Sequence, residues 1–202
     1  MNGLPHFQYD VVGLPAPGAE RKPLLLFLHG RGECGTDLAL MRRHGPPRLF
    51  PAHGLDRFVV IAPQCSAPPW DEERLEKFAR QAVDLAGVDG SRVFLTGISM
   101  GGVGAWELAT RCPGLFSAIA PICGGGEPAR APSLVDPAVK PVWLAHSRDD
   151  QVMAVNGSDA LFERLRQLDG DVTYSRYRGL DHVATWERVY GSSMLYDWFL
   201  RQ

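Results

Sequence analysis

Ser99 stands between Gly97 and Gly101 in "FLTGISMGG", residues 94–102. In this G-x-S-x-G spacing a serine at a sharp strand-to-helix corner can present its hydroxyl to a carbonyl carbon. Such an attack needs a general base for the hydroxyl proton, a carboxylate to orient that base, and N–H donors aimed at the developing oxyanion. The inert alternative is a tight turn with a serine N-cap. Gly101, Gly102 and Gly104 would each cost roughly 1 kcal/mol in an ordinary helix, so a purely structural helix has little reason to carry them.

For a serine at such a corner, the base follows late in the chain, on a loop after the last strand. His182, in "YRGLDHVATW", is the only histidine beyond His146 and lies just past the strand-like "VTYSRY". His146 ends the run "PVWLAH" and suits a structural role at a strand end, while His6, His29, His44 and His53 precede the serine and do not fit the order. The acid is expected in "HSRDDQVM", where Asp149 and Asp150 are both available. A carboxylate there would hold the imidazole tautomer without itself taking a proton. Asp181, beside His182 in sequence, suits a turn or a salt bridge. The turn "HGRGECG" can present free N–H groups, and the expected oxyanion donors are the backbone N–H of Met100, after the serine, and of Arg31. Taken alone, that glycine turn reads better as an ordinary β-turn with glycine used for positive φ. Glu33 beside Arg31 is assigned no chemistry.

These groups need a scaffold. Short, continuous apolar runs at Leu24–Leu28, Phe58–Ala62, Val93–Thr96, Ile119–Ile122 and Val142–Ala145 read as buried parallel strands. Residues 72–86, 157–168 and the C-terminal "SSMLYDWFLRQ" have helical periodicity, as does "MGGVGAWELATR" after the serine, with Trp106 on its core side. Alternating strands and helices predict an α/β fold with a mainly parallel sheet covered on both faces. At 202 residues the chain is expected to form a single domain, 1–202. Residues 124–141, rich in proline and glycine, read as a loop.

Composition narrows the function classes. Hydrophobic residues make up 45% and charged residues 22%, the balance of a soluble globular protein. With 21 Lys plus Arg against 23 Asp plus Glu, the net charge of −2 gives no field that would draw in a phosphate backbone, so nucleic acid is not expected as a partner. No stretch approaches eighteen apolar residues, and the N-terminal segment lacks the pattern of a leader, so neither a membrane span nor secretion is expected. Cys34, Cys65, Cys112 and Cys123 contain no C-x-x-C pair. They read as reduced thiols of a cytoplasmic protein, with no metal site and no cofactor implied.

In order along the chain, "LHGRGECGTD", "VIAPQC" followed by Trp70, "RVFLTGISMGGVGAWELA", "FSAIAPICGGG", "AHSRDDQV" and "GLDHVATWERVY" resemble the sequence blocks of α/β-hydrolase serine esterases. These are the group often labelled predicted peptidases or phospholipase/carboxylesterase-like proteins, and polyhydroxybutyrate depolymerases, feruloyl esterases and acyl-protein thioesterases are its relatives. The resemblance runs from about residue 20 to the end. It implies Ser99 as nucleophile, His182 as base, and Met100 with Arg31 as oxyanion donors. The acid block of the group usually reads H-G-x-x-D-x-V-V-P, and alignment on His146 and Val152 implies Asp150 as the acid. Ser147 replaces its glycine, and Met153 with Ala154 replace its final pair, so Asp149 stays in contention.

The resemblance implies a compact fold, and the stretch from Cys123 to Pro141 leaves room for a loop but not for a cap domain. An open, lidless cleft is therefore expected, with Trp70 and Trp186 either lining it or anchoring long loops. The expected activity is metal-independent hydrolysis of a carboxylic ester, whether a small molecule or an acyl group on a glycan, through a Ser-His-Asp triad and an acyl-enzyme. Thioesterase, peptidase or amidase chemistry on the same triad is an alternative, as is a non-catalytic binding module of the same fold. Oligomeric state is left open.

Overall fold

The computed structural model describes residues 7–135 and 140–202. His6 and residues 136–139 of the proline-rich loop lie outside the described residues. The strands are β1 (Gln8–Val12), β2 (Lys22–Leu28), β3 (Val59–Gln64), β4 (Val88–Ile98), β5 (Ala118–Ile122), β6 (Val142–Ser147) and β7 (Val172–Tyr177). They form one sheet in the order β1-β3-β2-β4-β5-β6-β7, in which only the β1–β3 pairing is antiparallel. The helices are α1 (Gly45–Leu49), α2 (Glu72–Ala82), α3 (Met100–Arg111), α4 (Asn156–Gln167), α5 (His182–Tyr190) and α6 (Ser193–Leu200).

Successive strand residues face opposite sides of the sheet, so a strand buried on both sides must be apolar throughout. Along β2, Leu24, Leu26 and Leu28 enter the core shared with α2, α3 and α4, while Leu25 and Phe27 enter the one shared with α5 and α6. Trp106 is fully buried in the first core. Tyr196 and Phe199 of α6 are buried in the second. The sheet is thus covered on both faces, and among the described residues no cap domain stands over it. No helix among them is long and apolar enough to cross a membrane.

Several features differ from the sequence reading. The edge strand β1 was not expected; none of its residues is fully buried, so it has no apolar run to reveal it. Helix α2 ends at Ala82 rather than residue 86, because Gly87 turns the chain at a φ of 90° into β4. His182 is not on a loop but is the first residue of α5, and the side chain of Asp181 caps that helix by accepting from the Ala184 N–H.

The closest crossing of backbone on backbone lies where β4 turns into α3. A Cβ on Gly97 would meet the Gly101 carbonyl oxygen at 2.2 Å, and a Cβ on Gly101 would meet that of Leu28 at 2.0 Å. Gly101→Ala is expected to lower unfolding stability by about 3 kcal/mol, since neither obstacle is a side chain that can swing aside. Gly32→Ala, with open space around its Cβ, should change it by less than about 0.5 kcal/mol. Urea titration of the two variants checks the contrast.

Candidate active site

Four chain segments converge at the carboxyl edge of the sheet, where open α/β sheets hold their ligands. β2 runs into His29, Gly30 and Arg31; β4 into Ser99; β6 into the loop carrying Asp149 and Asp150; and β7, after a short turn, into His182. The structure therefore gathers residues far apart in sequence at one edge.

Ser99 has φ 55° and ψ −119°. A non-glycine residue in such a region costs about 1–3 kcal/mol and persists only where its surroundings over-determine it. Here its N–H donates to the Ile122 carbonyl at 2.9 Å, and its own carbonyl accepts from the Val103 N–H at 3.1 Å. Its hydroxyl takes part in no hydrogen bond among the described residues. Arg31 begins a 3₁₀ turn (Arg31–Glu33) and Met100 begins α3, so the N–H of each lacks an acceptor within its own helix. A Cβ on Gly30 would lie 3.7 Å from that of Ser99, which puts the glycine turn beside the serine.

His182 Nδ1 lies 2.5 Å from Asp150 Oδ2. The Asp150 carboxyl is fully buried. Burial alone would raise its pKa, but the Met153 N–H, His182 and the Val152 N–H outweigh that and hold it below the usual carboxylate range. The two amides donate to Oδ1 at 3.0 and 2.8 Å. An ionised Asp150 must accept from His182, so the imidazole proton sits on Nδ1 and the buried Nε2, which has no hydrogen-bond partner among the described residues, is the basic nitrogen. Asp149 turns the other way: its partly exposed carboxylate accepts from the Gly179 N–H at 2.7 Å.

A cleft of about 640 Å³ opens over Ser99 and is lined by Met100, Val103, Gly104, Trp70, Leu75 and Met153, with Arg31, Glu72 and Glu107 among its polar groups. Trp70 is a wall, packed on the His29 ring at 4.8 Å between centroids. Trp186 does not line this cleft. It lies edge-on to the His182 ring at 4.9 Å, backed by His44 at 5.6 Å, and so steadies the histidine.

Two groups next to the site escaped the sequence reading. His29 Nε2 accepts from the Cys65 N–H at 2.9 Å while Nδ1 sits 2.6 Å from the Gly30 carbonyl, tying the glycine turn to the end of β3. Burial lowers its pKa to about 4, against the opposing pull of the Gly30 carbonyl. The Glu33 carboxylate faces His44 at 3.7 Å. Burial raises its pKa, partly offset by His44 and Arg43. Only the "HG" spacing hinted at His29, and nothing local hinted at the Glu33–His44 pair. Cys123, Asp150 and His182 bring ligand-type atoms within 4.8 Å of one another. Burial raises the Cys123 thiol pKa, however, and His182 Nδ1 and Asp150 Oδ2 are engaged with each other. This donor set fits a hydrogen-bond network better than a metal.

No protein-family model and no curated protein sequence matches the chain. Among solved structures it is similar to a thermostable esterase, at 29% identity and a TM-score of 0.83, over 96% of this chain and 58% of that one. It is also similar to esterase PE8, at 21% identity and a TM-score of 0.72, over 96% of this chain and 98% of the other. A puromycin-hydrolyzing peptidase from Mycobacterium tuberculosis matches at 17% identity and a TM-score of 0.73, over 96% of this chain and 37% of the peptidase. The chain thus spans little more than half the length of the thermostable esterase. Fold and topology are those of the α/β-hydrolase fold, and the proteins it resembles in structure are named as esterases and peptidases.

The buried histidine at the glycine turn sets a pH dependence. Unfolded, His29 protonates near 6.5; folded, it stays neutral down to about 4. The unfolded state therefore binds more protons between those values, and stability falls as pH drops through that window. His146, its pKa lowered by burial despite Met153 and Asp150, adds the same sign. Denaturant midpoints should fall between pH 6.5 and pH 4 in the wild type and fall less in His29→Gln.

Proposed function

We propose that the chain is a single-domain serine hydrolase that cleaves carboxylic esters. The observation that carries this reading is a serine held at φ 55°, its hydroxyl without hydrogen bonds among the described residues, at the same sheet edge as a histidine whose Nδ1 is bonded to a buried carboxylate and whose Nε2 has no partner among those residues.

Ser99 Oγ attacks the acyl carbon as His182 Nε2 takes its proton. The carbonyl oxygen becomes an oxyanion facing the N–H groups of Met100 and Arg31. Asp150 stays ionised and stabilises the imidazolium. Collapse of the tetrahedral intermediate expels the alcohol, which receives the proton from His182, and leaves Ser99 acylated. Water then repeats the sequence through the same base and releases the acid. An ester is favoured because an alkoxide asks less of the general acid than an amine. The apolar wall of Trp70, Leu75, Val103 and Met153 suits the acyl part, and the absence of a cap among the described residues admits esters on larger carriers, glycans included. All four thiols are free, which supports a reducing, cytoplasmic setting.

A fluorophosphonate probe is expected to label the wild type and not Ser99→Ala; equal labelling of both would sink the assignment. With a p-nitrophenyl ester, Asp150→Asn should lower kcat by about 10³–10⁴, while Asp149→Asn should stay within about three-fold, as its partner is the Gly179 amide.

A further inference from the structure

His146 ends β6 with its side chain fully buried, and the proposed chemistry does not use it. Its Nε2 lies 3.2 Å from Asp150 Oδ2 and 3.0 Å from the Met153 carbonyl oxygen. Both are acceptors, so Nε2 carries the proton. On the other side of the ring, the bare Nδ1 accepts from the Ser158 hydroxyl at 2.8 Å, so the single proton of that hydroxyl goes to the ring and not to the Gly124 carbonyl oxygen, 3.0 Å from the same Oγ. Asp150 Oδ2 thus lies between two imidazoles, His182 at 2.5 Å and His146 at 3.2 Å.

We infer that His146 is a positioning residue for the reaction, donating from Nε2 to the Asp150 oxygen that orients His182 and so setting both the direction and the basicity of that carboxylate. The inference rests on the reading of His182 as general base. With Val152 and Met153 donating to Oδ1, the carboxylate has donors on both oxygens, which fixes its plane toward His182 Nδ1. A donor on Oδ2 also withdraws charge from the atom that stabilises the imidazolium. Without it, Oδ2 holds the His182 proton more strongly, and the base stays protonated to higher pH.

The charged and titratable groups packed around this cluster are few. Cys123, at the end of β5, faces His182 with its Sγ 3.8 Å from the His182 carbonyl oxygen, a thiol that burial keeps protonated. Asp159 of α4 is engaged by Arg176 and Tyr174 of β7, and Asp149 turns to Gly179. Beyond Trp186, His44 lies between Glu33 and Glu187. None of these bonds to Asp150 Oδ2, so that oxygen reports the His146 donor.

The test is the pH profile of kcat/KM for a p-nitrophenyl ester in wild type, His146→Leu, His146→Gln and His182→Ala. Leu fills the space without a donor, whereas Gln can place an amide N–H near the position of Nε2. His146→Leu is expected to move the acid limb up by about 0.5 pH unit and to lower kcat about ten-fold with KM unchanged. His146→Gln should return the limb to its wild-type position. A wild-type limb in a folded His146→Leu protein, or equal displacement in both variants, overturns the inference and leaves the triad standing. Activity surviving in His182→Ala overturns the triad reading itself and this inference with it. Nitrogen-15 NMR of the wild-type histidines needs no variant to fold: His146 must show a protonated Nε2 and a bare Nδ1 throughout the acid limb of the wild-type profile, and the opposite tautomer refutes the inference.

Discussion

The structure depends most on how closely backbones approach where β4 becomes α3. Gly97, Gly101 and Gly102 let the helix start against the ends of β2, β4 and β5, at distances where a Cβ would overlap the carbonyls of Gly101, Leu28 and Ile122. Because the helix must begin there, the residue between strand and helix has no relaxed conformation available, and Ser99 occupies it at positive φ. The same approach puts the β2 exit turn beside the serine. Serine corner and glycine turn therefore follow from one packing requirement, and loosening it would disturb both.

Around that corner, buried polar groups satisfy one another in a way that separates structural roles from reactive ones. His29 bridges Cys65 and Gly30, His146 bridges Ser158 and Asp150, and Thr96 joins Ala120 to the Tyr190 hydroxyl. Leaving a buried polar atom without a partner is costly, so the exceptions carry information. His182 Nε2 is one such exception among the described residues, as are the indole N–H groups of Trp70 and Trp186, and it stands at the edge of the sheet where Ser99 also lies. Asp149 and Asp150 show how far environment outweighs residue type: adjacent in sequence, one meets an exposed loop amide and the other a buried imidazole.

How much could be read from the chain follows from the same physics. Five central strands were legible because both faces are covered, which forces unbroken apolar runs, and β7 because "VTYSRY" is rich in β-forming residues. The edge strand β1 was illegible because it is only half-buried. Ser99, His182 and the Asp149–Asp150 pair could be singled out because strand order places such groups at strand ends, but which of the two aspartates meets His182 is set by the loop's tertiary path. Trp186 shows the limit from the other side: an aromatic near a histidine in sequence reads equally as cleft lining or as packing, and only its position against the His182 ring decides. His29, set aside because it precedes the serine, and His146, read only as a structural strand-end residue, hold the glycine turn and the carboxylate.

The far wall of the cleft bears on selectivity. Arg130 bonds Glu72, which begins α2, and Glu107, on α3, so one guanidinium ties together the two helices that flank the cleft. Both carboxylates line the cleft, yet the shared cation offsets much of their charge, and partial exposure screens the remainder. A wall of this kind offers little Coulombic preference for a charged ligand. Discrimination then falls to width and shape, set by the packing of Trp70 on Gly104, where a Cβ would lie 2.9 Å from the indole ring. A pocket that selects by shape distinguishes hydrocarbon chains by only about 1–3 kcal/mol per methylene, so the architecture favours tolerance among related apolar ligands over recognition of a single one.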